Sequence, residues 1–141
     1  MRTWFRVVSA SLLVLVFACA KTADPGGLAF MGALVTGSVT DPGQVPIGNV
    51  EVTAAAYFDG DSVPFVGGRA ATASDGTFEI TLITLAVLGR QEGNLELNAE
   101  PPAASNFQAG QAEARIFMSV LAVSDTAPKD TLRIDVVLSP M

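Results

Sequence analysis

The side chains that could do chemistry in this chain are few and scattered. There is no histidine, which removes the commonest general base, the Ser–His and Cys–His nucleophile pairs and the usual zinc sites together. The single cysteine is Cys19, so no disulfide can staple the fold and a packed core must hold it. No G-x-S-x-G or S-x-x-K motif occurs, so no familiar serine nucleophile is set up. Oxygen ligands cluster at Asp59-Gly60-Asp61, which with Asp41 or Asp75 could hold calcium. The spacing does not fit an EF-hand loop, and acidic residues are ordinary in turns. Tyr57, Phe58, Phe65 and Phe107 could offer stacking faces to a sugar ring, although Phe58 also occupies an apolar position of an alternating run. Together these residues predict no catalytic centre, no resident metal and no cofactor, and they single out no ligand-binding residue.

Cys19 gains meaning from what precedes it. Residues 1–6 carry Arg2 and Arg6 and no acid, and residues 7–18 are an unbroken run of apolar and small side chains. A basic start followed by an apolar stretch of ~7–15 residues is the layout of a secretory signal peptide. The run is shorter than the ~20 residues that span a bilayer. Leu15-Val16-Phe17-Ala18-Cys19 resembles a bacterial lipobox, with Ala18 as the small residue before the cut and Phe17 as a departure from the small residue usual there. That resemblance implies a diacylated Cys19 as the first mature residue. Ala18-Cys19-Ala20 also satisfies the A-x-A rule of ordinary signal peptidase, with Cys19 discarded and a secreted or periplasmic product. On the lipobox reading, residues 1–18 are the signal and 19–32, containing Pro25, Gly26, Gly27 and Gly32, form a flexible tether. Residue 20 is alanine rather than the aspartate that retains some lipoproteins on the inner membrane, which points by analogy to the outer membrane of a bacterial envelope. The partners expected are the membrane, through the lipid, and an envelope protein or glycan.

Without its first 18 residues the chain keeps six basic residues against fourteen acidic ones, a balance of −8. Such a surface repels phosphate backbones, so nucleic acid is not an expected partner.

The elements that must carry these groups read as strands. Period-two alternation punctuated by turn residues runs from residue 33 to the end. Leu34–Thr40 places Val35, Gly37 and Val39 on one face; Val50–Phe58 places Val50, Val52, Ala54, Ala56 and Phe58 together. Pro64–Ala73 is a weaker strand broken by Gly67-Gly68. Thr77–Leu82 follows an Asp75-Gly76 turn and points Phe78, Ile80 and Leu82 inward; Asn94–Glu100 does the same with Leu95, Leu97 and Ala99. Thr131–Leu138 directs Leu132, Ile134, Val136 and Leu138 inward. Two segments are ambiguous: the apolar run 83–88 extends a strand or forms a helical turn, and 112–123 fits helical spacing as well as alternation. The β-formers Phe117, Val120 and Val123 favour strand for the latter. The expectation is an all-β, seven-stranded, two-sheet sandwich over residues 33–141.

VTGSVTDPGQVPIGNVEVTA resembles the opening of the carboxypeptidase regulatory-like (transthyretin- or prealbumin-like) domain, through Gly37, Val39, Asp41, Gly43, Pro46, Ile47, Val50 and Val52. Thr72-Ala73-Ser74-Asp75-Gly76-Thr77-Phe78 is similar to the family's second hallmark, and LRIDVVLSP to its closing strand. The departures are Gly67-Gly68 and the Leu-rich segment 83–93. The resemblance implies a prealbumin-like sandwich that is itself non-catalytic: a structural or protein-interaction module, a carbohydrate- or small-ligand-binding module, or an accessory domain to a separately encoded enzyme.

Overall fold

The computed structural model describes residues 29–141 apart from 88, 123 and 126; the signal, Cys19 and most of the expected tether lie outside the described residues. Among the described residues there is no helix. Nine strands form among the described residues: β1 (Phe30–Thr40), β2 (Glu51–Tyr57), β3 (Val66–Ala71), β4 (Thr77–Leu85), β5 (Glu92–Glu100), β6 (Gly110–Phe117), β7 (Ser119–Val120), β8 (Thr131–Arg133) and β9 (Val136–Val137). The seven expected segments are all present, and the count is nine because the last two are each interrupted. β1 begins at Phe30 with Met31 fully buried, so Phe30–Gly32 belong to the sandwich and not to the tether in which the sequence reading placed them.

Two sheets pack face to face. In one, β1 is flanked by antiparallel β4 on one side and on the other by β7, antiparallel, then β8 and β9, both parallel. The second has the order β3-β2-β5-β6, antiparallel throughout. The alternation does what its period requires, since successive side chains of a strand face opposite ways. Val35 and Val39, Val52 and Ala54, Phe78, Ile80 and Leu82, and Leu95, Leu97 and Ala99 all lie in one buried core. The ambiguous segment 112–123 is strand, and it changes sheets: β6 pairs with β5, β7 pairs with β1, and buried Met118 between them donates its N–H to Gln91 O at 2.8 Å. Of the apolar run 83–88, Ile83 and Leu85 continue β4 with their side chains half exposed.

β8 and β9 keep one register against β1, Leu34 opposite Thr131 and Val39 opposite Val136. Between them the chain bows inward. Ser38 N–H is taken by Asp135 Oδ1 at 2.9 Å, and the Ile134 carbonyl lies where a Cβ on Gly37 would be, 1.8 Å from it. A side chain at residue 37 would therefore occupy the path of the closing strand.

The sandwich has two distinct ends. At the leading end β1 starts, and there the β2–β3 loop, the β4–β5 connection and the β6–β7 crossing gather. The far end holds the β1–β2 loop, the β3–β4 turn, the β5–β6 loop and the C-terminus. There the two stretches that carry the family resemblance bond to one another. Val39 N–H reaches Gly76 O at 2.8 Å, and Ile47 N–H reaches Val39 O at 2.9 Å. Buried Thr72 accepts from Val50 N–H through Oγ1 at 2.9 Å and donates to Ile47 O at 2.8 Å. Gly76 adopts φ +78°, which glycine tolerates best, and a Cβ there would sit 2.7 Å from Val39 O.

Candidate functional site

The densest arrangement of charged and aromatic side chains sits at the leading end, around the residues that follow β2. Phe58 ends the alternating run of β2 and keeps its core position, while the Asp59-Gly60 turn, with Gly60 at φ +83°, sends the chain outward. Phe65 returns to stack on Phe58 with ring centroids 3.9 Å apart and planes within 13°. The Arg90 guanidinium lies over the Phe58 ring at 4.6 Å from its centroid, within cation–π range. With one face taken by Phe65, the guanidinium covers the other. Beside them Arg115 Nη1 donates to Asp59 Oδ1 at 2.6 Å and to Asn94 Oδ1 at 3.0 Å, and Arg115 Nη2 lies 3.5 Å from Glu92 Oε2. Arg90 is 3.9 Å from Asp61. Phe58, Arg90, Glu92 and Phe117 line an open depression of about 400 Å³ there.

These groups satisfy each other. The Arg115 hydrogen bond holds the Asp59 carboxyl below its ordinary value, with the guanidinium charge adding to it, and Asp59 in turn raises Arg115. Both shifts move the groups away from neutral pH, so the pair is fixed in its charged form where a proton shuttle would need the opposite. All of these side chains are solvent-exposed, where ion pairs are worth little individually.

The calcium set is not assembled. Asp59 and Asp61 follow β2 at the leading end, whereas Asp41 and Asp75 lie in far-end turns; Asp41 Oδ1 caps Val45 N–H at 2.9 Å and Asp75 Oδ1 takes Thr77 N–H and Oγ1. Among the described residues no three acids, cysteines or histidines group as metal ligands. The Thr77 hydroxyl, then its N–H, lowers Asp75, so this carboxylate serves its turn. The aromatic quartet is divided as well: Phe107 bridges to Pro140 at the far end, and Phe58 has no free face. Cys19 lies outside the described residues. Arg90, Asn94 and Arg115 were absent from the sequence-derived candidates. Asn94 and Arg115 read only as outward positions of alternating strands, and the 56-residue separation of Asp59 from Arg115 hides their meeting.

A second depression, of about 450 Å³, lies where β3 meets β4 and β1, lined by Thr36, Ala70, Ala71, Thr77, Glu79 and Arg133. Its walls are mostly small side chains, with Glu79 and Arg133 as the charged groups.

No protein-family model matches this chain, and no curated protein matches it. Among solved structures it is similar to 3-chlorocatechol 1,2-dioxygenase from Rhodococcus opacus 1CP, with a TM-score of 0.46 and 12% identity over 79% of this chain and 60% of that one. It is also similar to the dioxygenase domain of a dioxygenase carbohydrate-binding protein fusion from Streptomyces sp. SirexAA-E (0.46, 15%, 79% and 81%), and to chlorocatechol 1,2-dioxygenase from Pseudomonas putida (0.44, 9%, 78% and 61%). The chain thus spans less than two thirds of the length of the first of these. None of these likenesses bears on what the chain does.

Proposed function

We propose that this chain is a non-catalytic bacterial envelope lipoprotein, anchored through Cys19. Its sandwich, of the carboxypeptidase regulatory-like kind, works as a protein-interaction module. The observation that carries the interaction reading is the β6 edge. β6 pairs only with β5 among the described residues, in an unbroken register from Glu92 opposite Phe117 to Ala99 opposite Gly110. It contains no proline, no lysine and no bulge, three of the devices that commonly blunt an open edge, and its charged residues are Glu113 and Arg115. The opposite edge, β3, pairs only with β2 among the described residues and is shorter, six residues with Gly67 and Gly68 within it. An eight-residue edge in unbroken register suits a partner that adds a strand, whose main-chain hydrogen bonds supply affinity.

Two measurements test the two halves of this reading. Mass spectrometry of the mature N-terminus is expected to show an acylated Cys19; an unmodified N-terminus at Lys21 overturns the anchor and favours plain secretion. A photocrosslinking residue at Glu113, which is exposed in mid-β6, is expected to give a discrete adduct in intact membranes. The same residue placed at Glu79 of β4 gives none. Equal labelling at both positions, or none at Glu113, removes the edge as the binding surface.

A further inference from the structure

The exposed apolar side chains of this molecule are segregated to one end. Of the ten large hydrophobics exposed among the described residues, Phe30, Ile83, Leu85, Val87, Phe117 and Val120 lie at the leading end. Val63 sits on the β2–β3 loop beside them, and only Val45, Val137 and Met141 belong to the far end. Phe30 and Leu85 are directly opposite on neighbouring strands, as are Gly32 and Ile83, so Phe30, Leu85 and Ile83 form one continuous patch on the outer face of the sheet. Phe30 and Leu85 are 47% and 50% exposed, whereas Met31 and Leu82 on the inner face of the same two strands are fully buried.

Charge is segregated the same way. Four of the five ion pairs among the described residues lie at or beside the leading end: Arg90–Asp61, Arg115–Asp59, Arg115–Glu92 and Lys129–Asp125. Asp59, Asp61, Glu92 and Asp125 there each have a basic neighbour, and Asp130 has none among the described residues. At the far end Asp41, Glu51, Asp75 and Glu100 have no basic partner among the described residues. An anionic surface therefore repels the far end more strongly than the leading one.

We propose that the leading end is a membrane-contact face, with Phe30, Ile83 and Leu85 resting in the headgroup boundary of a phospholipid bilayer. The inference rests on the lipid-anchor reading and adds an orientation to it. Eleven Cα–Cα steps lead from Cys19 to Phe30, and at ~3.3–3.6 Å per step they reach at most about 40 Å. β1, eleven residues long, covers about 36 Å itself at ~3.3 Å per residue. An anchor emerging at the leading end would need nearly its whole reach to bring the far end to the same surface. Chain path, apolar surface and paired charge thus all select the same end. An exposed apolar patch of this kind gains by entering the interface roughly 5–10 Å deep, and it does so only when the anchor holds it there.

The test uses the lipidated full-length product in vesicles of phosphatidylethanolamine and phosphatidylglycerol carrying brominated acyl chains. Phe30→Trp is expected to be quenched severalfold more strongly than Val137→Trp at the far end, with blue-shifted emission; Leu85→Trp is the second reporter should Phe30→Trp fold poorly. Equal, weak quenching at both ends with acylated Cys19 verified by mass overturns the orientation and leaves the anchor standing. A leading-end reporter shielded without bromine quenching, in vesicles where the protein is dimeric, assigns the patch to a second copy and also overturns it. Absence of the acyl mass at Cys19 overturns the anchor, and the orientation with it.

Discussion

Thr72 is the one polar residue buried as a whole among the described residues, and its hydroxyl is used twice, for Val50 N–H and for Ile47 O. Both partners belong to the β1–β2 connection, so one oxygen joins the two stretches on which the family resemblance rests. Thr72→Val keeps the shape and β-branching but leaves a buried N–H without an acceptor, which costs about 1–3 kcal/mol. Denaturant unfolding should show a lower midpoint with an unchanged slope; a midpoint equal to that of the parent would mean water replaces the hydroxyl. The residues of this region were readable in sequence because turn chemistry is local: Asp75-Gly76 announces its own conformation. Thr72 was visible only as part of a motif. Its task depends on a partner 22 residues away, which neither spacing nor composition encodes. The same limit hid Arg115, whose partner Asp59 lies in a loop between other strands.

At the level of elements, alternation identified which side chains face the core but not which sheet they serve. A two-residue period survives a crossing from one sheet to the other, as at Met118, because the buried residue there satisfies either reading. It also survives the break between β8 and β9, where Ile134 N–H still reaches Thr36 O but Asp135 Oδ1 takes the Ser38 N–H, and the register does not shift. What makes that break possible is Gly37. The sequence presents it as one more inward position of β1, yet its missing side chain is filled by the Ile134 carbonyl, with the Phe78 ring beside it at 2.9 Å from a virtual Cβ. Gly37→Ala cannot be absorbed by rotating a side chain, since the nearest atoms are backbone. It should lose about 3 kcal/mol or more, the upper range for overpacking. Gly43→Ala is the control, since its methyl meets only the Asp41 carboxylate, at 3.3 Å. Comparable losses at the two positions would show that the closing strand moves aside at little cost.

For the molecule as a whole, the two-sheet sandwich follows from patterning because every buried face had to be apolar in register. The difference between its two ends does not, because it is set by which loops and strand ends the topology brings together. That difference bears directly on catalysis. A hydrolase near neutral pH needs a group that can give and take a proton there, which in the absence of histidine means a carboxyl or amine moved towards neutrality by burial or a like charge. Asp59 and Asp75 are moved the other way, by hydrogen bonds from Arg115 and from Thr77, and Arg115 is moved up. The depression beside Phe58 is open, so water screens the charges that line it. The purified protein, offered peptide, ester and glycoside substrates between pH 5 and about 8, the range that unperturbed histidine would otherwise serve, is therefore expected to give background rates only. Turnover that disappears in Asp59→Asn or Glu92→Gln while the fold persists would place a catalytic carboxylate in that depression and reverse the reading of the Arg115 cluster from a structural clasp to an active site.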